Sequence, residues 1–299
     1  MDEWLAGIEA GGTKFNCIIA RDPQSILVEA QFPTTTPDQT IPKVCAFFAE
    51  QAASHGIRLS RIGLGCFGPL DLNPASPTFG SITSTPKLAW RNTPVLTMVR
   101  DALNIPVVID TDVNAAAIGE GLWGAARGLD DFIYLTIGTG IGGGVVTHGK
   151  PVHGLVHPEL GHIVVQHDRM KDPYEGFCPY HHDCLEGLAA GPAIQYRWHT
   201  PAESLPVDHP AWDLEAEYIA QALQSFVLIL SPQRIILGGG VMNHPGLIEK
   251  VRILTRTKLN CYVDSPAIED GIDQYIVLPQ LGNRAGVLGS VALATLAEN

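Results

Sequence analysis

The sequence predicts an α/β protein built from two related halves. Three observations point there. The chain has 299 residues, more than one hydrophobic core usually serves, so two domains are expected. A strand, a glycine turn and a second strand occur in WLAGIEAGGTKFNCIIARD and recur, roughly 125 residues on, in DFIYLTIGTGIGGGVVTHG, as an internal repeat would. Finally PQRIILGGGVM runs a buried strand straight into three glycines ahead of a helix, the corner at which open α/β sheets hold ligands.

The elements follow in order. After the first hairpin a helix is predicted over about 41–56, ending before Gly56. IGLGCFGPLDLNP is a short apolar run opening into a Gly/Pro loop, and 71–94, rich in Pro, Ser and Thr without a period, is a long loop or small flap. Residues 95–103 read as helix, PVVID (106–110) as a buried strand and the Ala-rich 113–126 as helix. The second hairpin occupies 131–149. Beyond it, 214–230 is a strongly apolar helix, 246–259 the helix after the LGGG corner, and NRAGVLGSVALATLAE a closing helix of small residues. The first domain is expected to span 1–118, with 285–299 packing back on it, and the second 119–284, the boundary falling near 115–124.

Composition narrows the function classes. Hydrophobic residues make up 45% and charged residues 17%, which fits a packed globular chain and not a disordered one. The net charge of −12 argues against a nucleic-acid partner, since phosphate backbones need a basic face. A small phosphate ligand held by backbone N–H groups stays open. No apolar run reaches membrane-spanning length, and the acidic start MDEWLAGIEAGG lacks a signal-peptide layout. A cytoplasmic location is expected, where Cys17, Cys45, Cys66 and Cys261 are thiols rather than disulfides.

The glycine turns are candidate anion nests. In AGGTK, Gly11 and Gly12 let a ligand approach the backbone, Thr13 adds a hydroxyl and Lys14 a charge. A tight hairpin without a ligand is the plainer reading. Residues 138–143 satisfy Gly-x-Gly-x-x-Gly but precede a strand instead of a helix, so the dinucleotide reading fails its own context. Two hairpin nests plus the LGGG corner match the layout of the actin-like ATPase (ribonuclease H-like) fold.

Two further groups carry chemistry. DTDVNAAA offers Asp110 and Asp112. Asp112, just past a strand at a helix start, is either an N-cap or a carboxylate aimed at a substrate, with Asn114 orienting the loop. GFCPYHHDCLEG places Cys178, His181 and Cys184 at i, i+3 and i+6, and His162 of ELGH offers a fourth donor. Zinc favours such a tetrahedral set. His182 and His167 compete for a place, and a reduced loop without metal is the alternative. The cysteines are too far apart for a redox CxxC pair.

Taken in order, EAGGTK, TDVNAAAIGE, IGTGIGGG, ELGH, CPYHHDCLEG and ILGGG run across nearly the whole chain. The set resembles the ROK family (repressors, open reading frames, kinases) of sugar kinases, and CFGPLDL with GSITSTPKLAW resembles its fructokinase branch. The resemblance implies ATP-dependent phosphorylation of a hexose between two actin-like domains, with fructose the favoured sugar. Glucose or mannose kinase activity, or a sugar-sensing regulator without catalysis, are the alternatives. It implies Asp112 as the catalytic base and Gly68, Thr111, Glu159, His162 and Glu186 at the sugar. Gly11, Gly12, Thr13, Lys14, Thr139, Gly140, Gly238, Gly239 and Gly240 would hold ATP. Glu9 would hold Mg²⁺ through a water, and His162, Cys178, His181 and Cys184 a structural Zn²⁺. Glu186 could instead serve only as a charge at a helix N-terminus. Family members are commonly homodimers. Two positions depart from the family pattern. Thr111 replaces the usual Asn before the catalytic Asp, which bears on sugar choice, and Glu9 replaces the usual Asp. The family's repressors carry an N-terminal DNA-binding module, for which no room is expected here.

Overall fold

The computed structural model describes residues 3–296. They divide into two compact units. One comprises the chain up to 128, the segment Pro151–Pro158 and the residues from 284 on, and the other comprises 129–150 and 159–283.

The first unit is built on a five-stranded sheet. Its strands are β1 (Glu3–Ala10), β2 (Lys14–Asp22), β3 (Ser25–Pro33), β4 (Arg58–Cys66) and β5 (Val107–Thr111). They lie in the order β3-β2-β1-β4-β5. β1, β2 and β3 form an antiparallel meander, whereas β4 and β5 run parallel to β1. β3 was not anticipated. It is an edge strand in which every residue is intermediate or exposed, so it presents no buried run. The helices are α1 (Pro37–His55), α2 (Val95–Leu103), α3 (Asp112–Trp123) and, from the far end of the chain, α10 (Ala285–Leu296). α1 starts earlier than expected because Pro37 supplies a fixed φ at the first turn. It ends where Gly56 turns left-handed at φ 62°.

Alternation along β1 and β4 decides which helix covers which face. Ala6, Ile8, Ala10, Ile62, Leu64 and Cys66 join one core with Ile41, Val44 and Phe48 of α1 and Val95 and Val99 of α2. Between them, on the opposite face, stand Gly7 and Glu9 of β1 and Gly63 and Gly65 of β4. A Cβ on Gly7 would lie 2.8 Å from Val287 O and from a Val291 methyl, and one on Gly63 would strike the Ser290 carbonyl. Those glycines let α10 lie close against β1 and β4, and Ser290 Oγ donates to Ile8 O at 3.0 Å. The 71–94 stretch is an irregular loop with isolated bridges from Ile82 to Leu70 and Thr93. Trp90 anchors it, buried against Phe15 and Phe67 and donating from Nε1 to Thr35 O at 2.8 Å.

The second unit repeats the plan. Its strands are β6 (Phe132–Ile137), β7 (Ile141–Thr147), β8 (Lys150–Pro151), β9 (Arg234–Gly238) and β10 (Ile276–Val277). Read from β8, their order is β8-β7-β6-β9-β10, the same sequence of roles as in the first sheet. β6 and β7 are antiparallel, and β9 and β10 run parallel to β6. Helices α4 (Leu185–Ala189), α5 (Gly191–Trp198), α6 (Ala211–Leu230), α7 (Leu247–Leu259), α8 (Pro266–Glu269) and α9 (Ile272–Tyr275) complete it. α6 packs on both α4 and α7. No helix among the described residues is long and apolar enough to cross a membrane.

Candidate active site and metal centre

The first glycine turn joins β1 to β2. Gly11 N donates to Lys14 O at 3.0 Å, and Thr34, just after β3, holds the turn from outside by donating from its hydroxyl to Gly11 O at 2.8 Å. The N–H groups of Gly12 and Thr13 have no hydrogen-bond partner among the described residues, and Thr13 and Lys14 are exposed. Such a turn can accept an anion. Glu9 stands two residues before Gly11 and accepts from Asn16 Nδ2 at 2.7 Å. Burial raises its carboxyl above the ordinary value, with the Asn16 hydrogen bond and Lys14 acting the other way.

Asp112 is the first residue of α3. The N-cap is Thr111 instead, whose buried hydroxyl accepts from Asn114 N at 3.1 Å. That corrects the reading of Asp112 as a plain cap and leaves its carboxylate, which accepts from Val113 N at 2.9 Å, available for other work. Burial, and then the nearby charge of Glu9, push Asp112 up to about 6. Two neighbouring carboxylates that both resist ionising make a site that a divalent cation would relieve. Asp110 is spent on structure. Its Oδ1 accepts from Thr111 N and from Asn114 Nδ2, each at 2.7 Å.

The sequence reading missed two histidines of the 151–158 segment. His153 Nε2 meets Asp110 Oδ2 at 3.0 Å, and this hydrogen bond raises the imidazole's pKa. His157 Nε2 accepts from Leu70 N at 3.0 Å, and its ring lies beside Gly68, where an added Cβ would be 3.1 Å away. Gly68 and the 110–114 corner thus share one packed segment. Isolated histidines in a Gly/Pro loop have no periodicity that would have marked them.

The second unit presents its own turn and corner. Gly138 N donates to Gly140 O at 2.9 Å and Gly191 N to Gly138 O at 2.7 Å. The N–H groups of Thr139 and Gly140 have no partner among the described residues. Gly239 has φ 91° and ψ 164°, a conformation essentially reserved for glycine, and a Cβ there would strike Ile137 O. Gly238 is buried and Gly240 exposed. Glu186 lies at the second turn, with Oε2 accepting from Ile141 N at 2.9 Å and close beneath Gly140. It is the second residue of α4, so both readings of this residue meet in one position. Glu159 is exposed, and its carbonyl accepts from His162 N at 3.0 Å.

The donor atoms of His162, Cys178, His181 and Cys184 all lie within 4.8 Å of one another. His162 Nδ1 is 3.5 Å from Cys184 Sγ and 3.8 Å from Cys178 Sγ, and His181 Nδ1 is 3.8 Å from Cys178 Sγ. Tetrahedral zinc with ordinary bond lengths would set N···S separations of about 3.6 Å, so the donor set fits that ion. A tight backbone pair fixes the knuckle, with His182 N donating to Cys178 O and Cys178 N to His182 O. His182 takes φ 54° there and is not among the clustered residues. His167 is engaged elsewhere, 3.1 Å from Asp183 Oδ2 and 2.9 Å from Asp172 O. Behind the knuckle, buried Asp172 accepts from Arg197 Nε at 3.0 Å and Tyr218 OH at 2.7 Å, and Arg197 donates to Leu188 O at the end of α4.

The chain is similar to known proteins along nearly its whole length. A Bacillus subtilis relative is 48% identical over 290 residues, covering 97% of this chain and 95% of its own. The fructokinase of Zymomonas mobilis subsp. mobilis is 43% identical over 98% of this chain and 96% of its own. A ROK hexokinase from Thermus thermophilus superposes with a TM-score of 0.77 at 28% identity, covering 98% of each chain. A Streptomyces griseus glucokinase solved with glucose and AMPPNP gives 0.75 at 27%, covering 98% of this chain and 99% of that one. The repeated α/β plan is that of the actin-like ATPase fold. The ROK family model matches residues 5–297, which span both glycine turns, the Asp112 corner and the knuckle, and the chain belongs to that family.

Proposed function

We propose that the chain is an ATP-dependent fructokinase that makes fructose 6-phosphate, with Asp112 as general base. The observation that carries the reading is the Asp112 carboxylate, uncommitted to capping and held at about 6 by burial and Glu9. A base with that pKa is mostly ionised at neutral pH and still basic enough to take a hydroxyl proton as it becomes acidic. The proton of the 6-hydroxyl passes to Asp112 as the oxygen bonds to the γ-phosphorus and the bond to the β-bridging oxygen breaks, releasing ADP. The fructokinase names of relatives at 43% identity over nearly the whole chain favour fructose over glucose or mannose.

The remaining roles follow the family resemblance, with the chemistry of the groups in support. The free N–H groups of 12–13 and 139–140, with Lys14 and residues 238–240, suit ATP phosphates. Glu9 is assigned to Mg²⁺, which when bound supplies positive charge to the phosphates. Gly68, Thr111, Glu159, His162 and Glu186 are assigned to the sugar. His162 turns Nδ1 toward the sulfurs, leaving Nε2 for a hydroxyl. Zinc is assigned to His162, Cys178, His181 and Cys184 in a structural role, since four protein ligands leave no open position. Burial pushes the Cys184 thiol up to about 12, so a thiolate there calls for a bound cation.

The test is a coupled assay of ADP release with Mg²⁺ and fructose, mannose, glucose or N-acetylmannosamine. A kcat/KM for fructose at least tenfold above the others is expected. Turnover confined to another sugar would overturn the fructose assignment, and none with any sugar would overturn the kinase reading.

A further inference from the structure

The loop that Trp90 anchors carries a lysine to the first glycine turn. A Cβ placed on Gly12 would lie 2.9 Å from Lys87 Cε and 3.8 Å from its Nζ, so the end of this side chain lies over the turn. Its backbone is held firmly. Lys87 N donates to Thr85 Oγ1 at 3.3 Å, Lys87 O accepts from Trp90 N at 2.8 Å, and Trp90 is buried. Lys87 is only partly exposed, and no carboxylate pairs with it among the described residues. An ammonium without an acidic partner among the described residues, set beside two backbone N–H groups that also lack partners there, is a cation and nest arranged for the same anion.

The position also says which phosphate. The turn begins just beyond Glu9, which pairs with Gly65 across β1 and β4, and a Cβ on Gly65 would lie 3.3 Å from Asp112 Cα. A phosphate on this turn is therefore the one next to the base, which for an attacking hydroxyl is the group being transferred.

We propose that Lys87 is a further catalytic residue, whose ammonium contacts the γ-phosphoryl group of ATP and stabilises the charge on its oxygens as it moves to the sugar. The inference rests on the kinase reading above. The phosphoryl chemistry needs no new co-reactant, because the γ-phosphorus exchanges the β-bridging oxygen for the sugar oxygen and the lysine neither gives nor takes a group.

The experiment compares wild type, Lys87→Ala, Lys87→Met and Lys87→Arg in the coupled assay, with calorimetric titration of AMPPNP and ADP. Expected results are a kcat lowered roughly 30- to 300-fold in the Ala and Met variants and partial recovery in the Arg variant. The sugar KM should stay within twofold of wild type. AMPPNP should bind at least fivefold more weakly while ADP binding is unchanged, a split that a loosened loop would not produce. Equal weakening of ADP and AMPPNP would overturn the γ-phosphoryl assignment. So would a raised sugar KM with unaltered AMPPNP binding, or a kcat within twofold of wild type. If the Ala variant fails to fold, the Met variant carries the same test. A wild-type enzyme inactive on every sugar would count against the kinase reading, whereas an active wild type matched by Lys87→Met counts against this inference alone.

Discussion

Glu186 accepts a hydrogen bond from the Ile141 backbone N–H, 2.9 Å from its Oε2, so a residue two positions beyond the knuckle cysteine Cys184 braces the second glycine turn. Its carboxylate supports the peptide immediately after Gly140, whose own N–H lacks a partner among the described residues. Replacing Glu186 with Ala leaves the Ile141 N–H without its acceptor and is expected to raise the KM for ATP by roughly tenfold, beside the rise in sugar KM that its proposed sugar contact implies. Glu186→Gln keeps an acceptor oxygen and should hold the ATP KM within about threefold. Steady-state kinetics at fixed saturating sugar measure both, and an ATP KM unmoved by the alanine would refute the bracing role.

Asp112→Asn removes the proposed base while keeping its size. Turnover is expected to fall at least ~10³-fold, near the upper range for general-base catalysis. Fructose affinity, read by intrinsic fluorescence or calorimetry, should change by less than about threefold. A variant with normal kcat would place the base elsewhere.

The pH profile follows from the same residue. Asp112 must be ionised to take the proton, so kcat/KM should rise with pH through about 6 and level off above. Removing the neighbouring negative charge with Glu9→Gln should move that limb to lower pH, whatever it does to the plateau. The sign for stability is the reverse. Because the folded-state pKa lies above the unfolded one, Asp112 contributes stability below about 4 that is lost as pH rises to about 6, and adds no further slope beyond. A limb unmoved in Glu9→Gln would contradict the electrostatic link between the two.

Removing the proposed zinc should lower stability and activity together. A structural zinc of this kind can contribute on the order of 10 kcal/mol to folding. Chelation checked by metal analysis, or His181→Ala, is expected to lower the Tm by more than about 10 °C and to reduce kcat. Full activity in metal-free protein would remove the scaffold argument.

Gly239→Ala should be among the most damaging small substitutions. Its φ of 91° with an extended ψ, and the Ile137 carbonyl in the way of a Cβ, predict a loss of at least about 2 kcal/mol. Thermal melts measure it, and a Tm unchanged within a degree would show that the corner can relax.

The parts of the chain that repeat a pattern were legible in its sequence. Both hairpins, α2 at 95–103 and the strand running into the LGGG corner declare themselves through period and punctuation. The short distances among Cys178, His181, Cys184 and the remote His162 match a spacing that zinc chemistry explains. What stayed hidden depends on partners far along the chain. β3 lies at a sheet edge with no buried run. Thr111 takes the cap because of how α3 begins, and only the folded turn distinguishes it from Asp112. His153, His157 and Lys87 sit in irregular loops, and their roles come from Asp110, Leu70 and Gly12, which no local pattern connects to them. The packing of 151–158 with the first unit leaves no mark in composition.

The placement of α10 sets an order on assembly. Its residues cover the glycine face of β1 and β4 and lean on α3, where a Cβ on Gly289 would strike the Ala115 carbonyl. During translation this helix is made only after all of 159–283. Until then the first unit lacks the layer that shields one side of its sheet, although its strands were synthesised first. The other unit has its strands and helices in hand earlier. A nascent chain therefore carries a sheet face without its closing helix for the time needed to make more than half its length, which is the interval in which a holdase chaperone would have the most to bind.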